Sequence, residues 1–247
     1  MHRSHLPLRE WFWAAYLVAT HTPGIRAAPL QRPLGIGSDT TAWHLLHRWR
    51  TGMVNETRSH LSGLIEADES TIGGPAQGKR GRGVTAATHK RVVIGAVEVI
   101  AYENQQGTRC ERAGRLRLAT VANAGAVNIR DFLARNVAAG STVRTDGWPG
   151  YSDEALVGDT HRVRVVRPPE RAHQVAPHVH RVFSNLKAWL NGTHHGVEPR
   201  YLQRYVDECV FRFNRRTTPM AAFQTLLGIS TQKAPLPLRD LVVLSQP

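Results

Sequence analysis

Past Ser62 the sequence breaks into five short strand-like runs, residues 64–68, 91–100, 115–121, 142–145 and 161–166. A single helical stretch, 127–137, lies between the third and fourth, with Ile129, Phe132, Leu133 and Val137 on one face. After Pro177 the chain turns helical again through Asn191, where Gly192 is expected to stop it at the C′ position. A second helix over 199–216 is expected to bury Leu202, Tyr205, Val206, Cys209 and Phe213. Strands, one crossover helix, more strand and then helices point to the α/β class, a mixed sheet flanked by helices.

Residues 6–53 read differently, as helices separated by tight turns. Leu8, Trp11, Ala15, Leu17 and Val18 mark a first helix that ends near the Thr22-Pro23-Gly24 breaker. A short segment over 27–34 leads into Gly35-Ile36-Gly37, and Ser38 is placed to cap a longer helix. Along that helix Ala42, Leu45, Leu46, Trp49 and Met53 face inward, while Thr40, Thr41, His44, His47, Arg48 and Arg50 fall on the other side. Helix, glycine turn and a capped helix with a basic outer face is the helix-turn-helix pattern, whose second helix enters the major groove of DNA. A plain helical hairpin is the alternative. The expected organisation is a small all-α region over 1–55, an α/β region over 56–216 and a tail over 217–247, with only a short helical run near 220–227 legible in the tail.

Charge narrows the choice of partner. Lys and Arg number 32 against 19 Asp and Glu, a formal +13, and only Lys79, Lys90, Lys187 and Lys233 are lysines. So arginine-rich a surplus implies phosphate contacts, because guanidinium is the better bidentate partner. A Gly-interrupted loop holding Lys79, Arg80 and Arg82, with Lys90 and Arg91 after it, is a candidate track for a phosphate backbone. Two cysteines cannot build a disulfide framework or a four-cysteine zinc site, and a reducing setting is the simple inference. The longest apolar stretch, 11–19, is far too short to span a bilayer, so no membrane partner is expected.

Three positions carry the chemistry. The 64–68 strand places Glu66 and Asp68 on one side of the sheet, where a carboxylate is costly unless it is paired or binds a cation. The 142–148 run repeats the arrangement, a short β-branched strand ending in Asp146 and then Gly147. Two aspartates at the ends of neighbouring strands can supply the hard oxygen ligands that magnesium prefers, although either alone also suits a strand end or turn. His180 and Lys187 follow on a helix, seven residues and two turns apart, and so share one face. His194 and His195 lack cysteine partners for zinc and suit a packing or DNA-facing turn.

Taken together, several segments resemble bacterial insertion-sequence transposases of the DDE superfamily, in the branch whose third active-site position is Glu, Asn or His. They are residues 66–74, 79–83, Thr145-Asp146-Gly147-Trp148 with Tyr151, 180–187 running into 192–196, Tyr205-Val206-Asp207-Glu208, and 211–216 ending in Arg215 and Arg216. The resemblance implies a ribonuclease-H-like catalytic domain behind the helix-turn-helix. It implies Asp68 and Asp146 as metal-binding aspartates, His180 in the third position, and Lys187 as a basic residue near the reacting phosphate. Asn185 is the alternative for the third position. Magnesium, with manganese able to substitute, would serve two-metal phosphoryl transfer on double-stranded DNA, at element ends and target. The implied DNA contacts include Thr40, His44, Arg48, Lys79, Arg80, Arg82, Lys90, Arg91, Arg215 and Arg216, in a homo-oligomer assembled at the bacterial nucleoid in the cytoplasm.

Two departures stand out. Imidazole is a softer, neutral ligand, poorer for magnesium than the usual carboxylate. Relatives also commonly begin with a four-cysteine zinc ribbon, for which this sequence has no cysteines. The competing readings are a structure-specific nuclease on the same fold and a DNA-binding remnant that no longer catalyses.

Overall fold

The computed structural model describes residues 4–73, 90–151, 160–163 and 175–243. In chain order the elements are α1 (Leu8–Thr20), α2 (Ala27–Gln31), α3 (Asp39–Gly52), β1 (Leu64–Ile72), β2 (Arg91–Glu103), β3 (Arg109–Val121) and α4 (Ala126–Asn136). There follow β4 (Thr142–Thr145), β5 (Thr160–Val163), α5 (Pro177–His194), α6 (Leu202–Asn214), α7 (Pro219–Thr231) and α8 (Leu238–Val243). They form two compact units, one of residues 58–188 and one of residues 1–57 with 189–247. Residues 189–216, expected with the α/β region, and the expected tail over 217–247 belong to the same compact unit as residues 1–57.

In the α/β unit the strands lie in the order β3-β2-β1-β4-β5. β1 pairs antiparallel with β2, and β2 with β3, whereas β4 lies parallel to β1 and β5 parallel to β4. This is the mixed sheet flanked by helices that the element order suggests. β3 begins at Arg109 rather than near 115, because the Asn104 carboxamide accepts the Gln106 and Thr108 N–H groups and closes a tight turn. Pairing therefore extends out to Glu103 and Arg109.

The alternation of β1 decides what each face meets. Ile65 and Ala67 join Ile94, Ala96 and Val143 in a core closed by Ile129, Phe132 and Leu133 of α4. Each of the larger side chains, the isoleucines, Val143, Phe132 and Leu133, contributes about 1.5–3 kcal/mol when fully buried. On the other face lie Glu66 and Asp68, under α5, whose Val179, Val182, Phe183 and Leu186 are buried. α5 comes close because Gly95, paired with Asp68 across the sheet, has no side chain. A Cβ there would lie 2.8 Å from Leu118, 2.9 Å from Phe183 and 3.3 Å from Val179.

The helical unit has its own core, built on Trp11, Ala15, Val18, Leu30, Leu45, Leu46, Trp49, Phe211 and Leu226. The inward positions of α3 are as expected, but two of the outward ones are not. His47 is 0% and Arg50 1% exposed. Arg50 Nε lies 2.7 Å from the fully buried Glu208 carboxylate of α6, and its guanidinium stacks 4.0 Å over the Tyr205 ring. A helical wheel assigns arginine outward; the partner that makes burial tolerable sits 158 residues further along the chain. Burial, with the Arg50 and Arg204 charges, holds His47 neutral by lowering its pKa to about 2.

Smaller corrections concern helix ends. Leu8 is 60% exposed, and Ser38 precedes α3 without a side-chain capping bond. α5 runs past Gly192 to His194 and ends where His195 and Gly196 take positive φ, the Gly196 N–H bonding back to the Leu190 carbonyl. Phe211 rather than Phe213 is buried on α6, and Cys209 is only partly covered. No helix among the described residues is long and apolar enough to cross a membrane.

Candidate active site

Glu66 and Asp68 project from the same face of β1, and both are buried. Glu66 is fully engaged by the protein. One carboxylate oxygen accepts the His178 and Val179 N–H groups at 2.7 and 3.0 Å, capping the first turn of α5. The other accepts from Arg144 of β4 at 2.6 Å, and Arg144 reaches on to Glu111 at 2.8 Å. The parallel register sets Arg144 beside Glu66.

Asp68 has no such complement. Its carboxylate Oδ2 lies 3.5 Å from Nδ1 of His180, one turn into α5. Burial raises the Asp68 carboxyl to about 7; a Glu69 backbone hydrogen bond opposes this, Asp146 adds to it, and Lys187 opposes it. Glu69 is likewise raised to about 7, by burial and then by Asp68 and Asp146. Asp146 follows β4 directly, and its Oδ1 accepts the Trp148 N–H at 3.0 Å.

Of the expected catalytic residues, Asp68 and His180 are thus in contact, and Asp146 and Lys187 act on Asp68 through their charges. Asn185 is exposed on α5. Among the described residues, the three donors that lie closest together are Glu66, Glu111 and His178, within 4.8 Å of one another. The Arg144 guanidinium already supplies the positive charge between those two carboxylates, so that trio is a salt-bridge cluster rather than a metal centre. Asp68, Glu69 and Asp146 act on one another through their charges, but among the described residues neither they nor Asp68, Asp146 and His180 bring three donor atoms within 4.8 Å of one another.

The expected DNA contacts are spread over both units. Lys79, Arg80 and Arg82 lie outside the described residues. Lys90 is exposed and Arg91 half-buried at the start of β2. On α3 Thr40 is exposed, while His44 and Arg48 line a cleft of about 1000 Å³ with Leu6, Phe12, Leu227 and Leu238. Arg215 and Arg216 stack on Phe211 and Phe213 and bond those residues' carbonyls.

Sequence reasoning gave no role to Glu69 or Arg144. Position beside Asp68 was the available signal for Glu69; for Arg144 there was none, since its role depends on strand register.

No curated protein matches the chain. The family described as the ISXO2-like transposase domain matches residues 60–214, well over half of the chain and spanning Asp68, Asp146, His180 and Lys187. The chain therefore belongs to the ISXO2-like transposase domain family, a family of insertion-sequence transposases.

Proposed function

We propose that this chain is a DDE-type DNA transposase that cuts the ends of an insertion sequence and joins them to target DNA by metal-dependent phosphoryl transfer. The contact between Asp68 and His180, beneath the charges of Asp146 and Lys187, is the observation that carries the reading. The sheet order, three antiparallel strands continued by two parallel ones, is compatible with a ribonuclease-H-like domain. Asp68 and Asp146 would hold the divalent cation, magnesium or manganese, with His180 as a further donor. When bound, the cation polarises the scissile phosphate and lowers the pKa of an attacking hydroxyl.

The residues themselves do the remaining work. Asp68, buried and raised to about 7, binds a cation in exchange for a proton, since either one relieves its uncompensated charge. His180 offers Nδ1 toward Asp68 and orients that carboxylate. Lys187, exposed two turns along the same helix face, places an ammonium where a phosphate oxygen would approach. Double-stranded DNA is the partner the family implies, and a homo-oligomer on DNA at the nucleoid follows because two element ends need two active sites. The α2–α3 segment, with Thr40, His44 and Arg48, is the candidate helix-turn-helix.

Incubation of the purified chain with magnesium or manganese, supercoiled target and an oligonucleotide bearing an element end tests the reading. Strand transfer is the expected product. Cutting without joining identifies a nuclease, and a mobility shift without either identifies a DNA-binding remnant.

A further inference from the structure

We propose that Trp148 is a base-stacking residue, whose indole receives an unpaired nucleobase of the DNA beside Asp146. The inference deepens the reading above and rests on it for the DNA substrate and for the place of Asp146 in the reacting centre. Trp148 is 49% exposed, so the fold gains only part of what burying so large a ring would contribute. The ring is nonetheless held in one orientation. Its Nε1–H donates to the Ala124 carbonyl at 3.3 Å, its backbone N–H donates to Asp146 Oδ1 at 3.0 Å, and its carbonyl accepts the Tyr151 N–H at 3.0 Å.

The turn beneath the ring has little slack. Gly147, directly before it, takes a φ of +85° that a side chain would strain, and its N–H donates to Thr145 Oγ1 at 3.2 Å. At Gly150 a Cβ would lie 2.8 Å from Trp148 Cδ1, 2.8 Å from the Ala124 oxygen and 2.7 Å from Ile129. Ala124 sits in a fixed turn of its own, where Asn123 Oδ1 accepts the Gly125 N–H and the Asn128 amide, each at 2.9 Å. An indole that is fixed yet half open to water is preorganised for a flat partner, and loses little freedom on binding one. The Asp146 carboxylate next to it does not attract phosphate, whereas every base offers a neutral π face. A base inside a duplex has both faces covered by its neighbours. The indole therefore suits an unpaired base, which cutting one strand at an element end leaves behind.

Fluorescence anisotropy of the full chain in EDTA tests this without any strand chemistry. Two labelled duplexes of one sequence are compared, one blunt and one carrying a short single-stranded 3′ overhang. The parent is expected to bind the overhang duplex more tightly. Trp148→Ala and Trp148→Leu are each expected to lose about 10-fold on that duplex, the scale of one base–aromatic stack, and almost nothing on the blunt one. Trp148→Phe keeps a ring and is expected to stay within about 3-fold of the parent. Equal affinity of the parent for both duplexes, equal losses on both, or equal binding by Trp148→Leu and Trp148→Phe overturns the proposal. If thermal melts show that Trp148→Ala does not fold, Trp148→Leu and Trp148→Phe decide. Stacking needs no catalysis, so failure of the parent in the strand-transfer assay sinks the transposase reading and leaves this result to stand or fall by itself.

Discussion

Glu66 and Asp68 stand two residues apart on the same face of the same strand, yet the protein neutralises only the first. Glu66 receives two backbone N–H groups and a guanidinium, whereas Asp68 receives an imidazole at 3.5 Å and a neighbouring like charge. The first acid is held by the architecture, and the second is the one proposed to bind a cation.

Asp68→Asn and Asp146→Asn are therefore expected to abolish strand transfer while leaving DNA affinity almost unchanged. Electrophoretic strand-transfer assays beside fluorescence anisotropy separate the two effects. Full activity in either variant would refute the assignment.

Glu66→Ala should instead fail by destabilisation. It removes one of the two carboxylate partners of Arg144 and leaves two buried N–H groups at the start of α5 without an acceptor, each costing about 1–3 kcal/mol. Urea unfolding measures this, and a loss below about 1 kcal/mol would show the cap to be dispensable.

At position 180, His180→Glu should preserve or raise magnesium-dependent activity, since a carboxylate is the better ligand for a hard cation. His180→Ala should lose it. Equal loss in both variants would remove His180 from the metal site.

The pH dependence of metal-free stability has a definite sign. Asp68 and Glu69 titrate near 7 in the folded chain against ordinary values of 3.8 and 4.5. Between those limits the folded chain retains protons that the unfolded chain has released. Their contribution to stability is thus complete under acid conditions, declines as pH rises through that window, and levels off above about 7. Magnesium should accordingly raise the melting temperature more above neutral pH than in mild acid. An equal rise at both would count against Asp68 as a binding residue.

The helical unit should show the opposite trend. His47 is lowered to about 2 and His194 to about 3, against 6.5. The stability they allow is present above 6.5 and is lost as pH falls toward those values, because the unfolded chain then takes up protons that the folded chain refuses. Trp11, Trp13, Trp43, Trp49 and Trp189 all lie in this unit, so tryptophan fluorescence follows it. Acid unfolding by that signal should shift to lower pH in His47→Phe, provided the variant folds.

Periodicity made the local elements legible: the strands, the α4 face and the inward stripe of α3 all follow from apolar spacing. The spacing of Asp68, Asp146, His180 and Lys187, read with the flanking motifs, was enough to nominate the site. What stayed hidden depends on pairings distant in sequence. Arg50 looks like surface until Glu208 is folded against it, and Arg144 looks unremarkable until parallel register sets it beside Glu66. The unit boundary was hidden for the same reason, since α6 and α7 complete a core begun by α1 and α3.

The empty side-chain position at Gly95 has a consequence for anyone seeking to alter this protein. Even a methyl group there would press on Val179 and Phe183, on the same helix as His180. The imidazole would be levered away from Asp68 although no acid or base had changed. Alanine at 95 thus offers a way to detune the centre mechanically, leaving every reactive group in place.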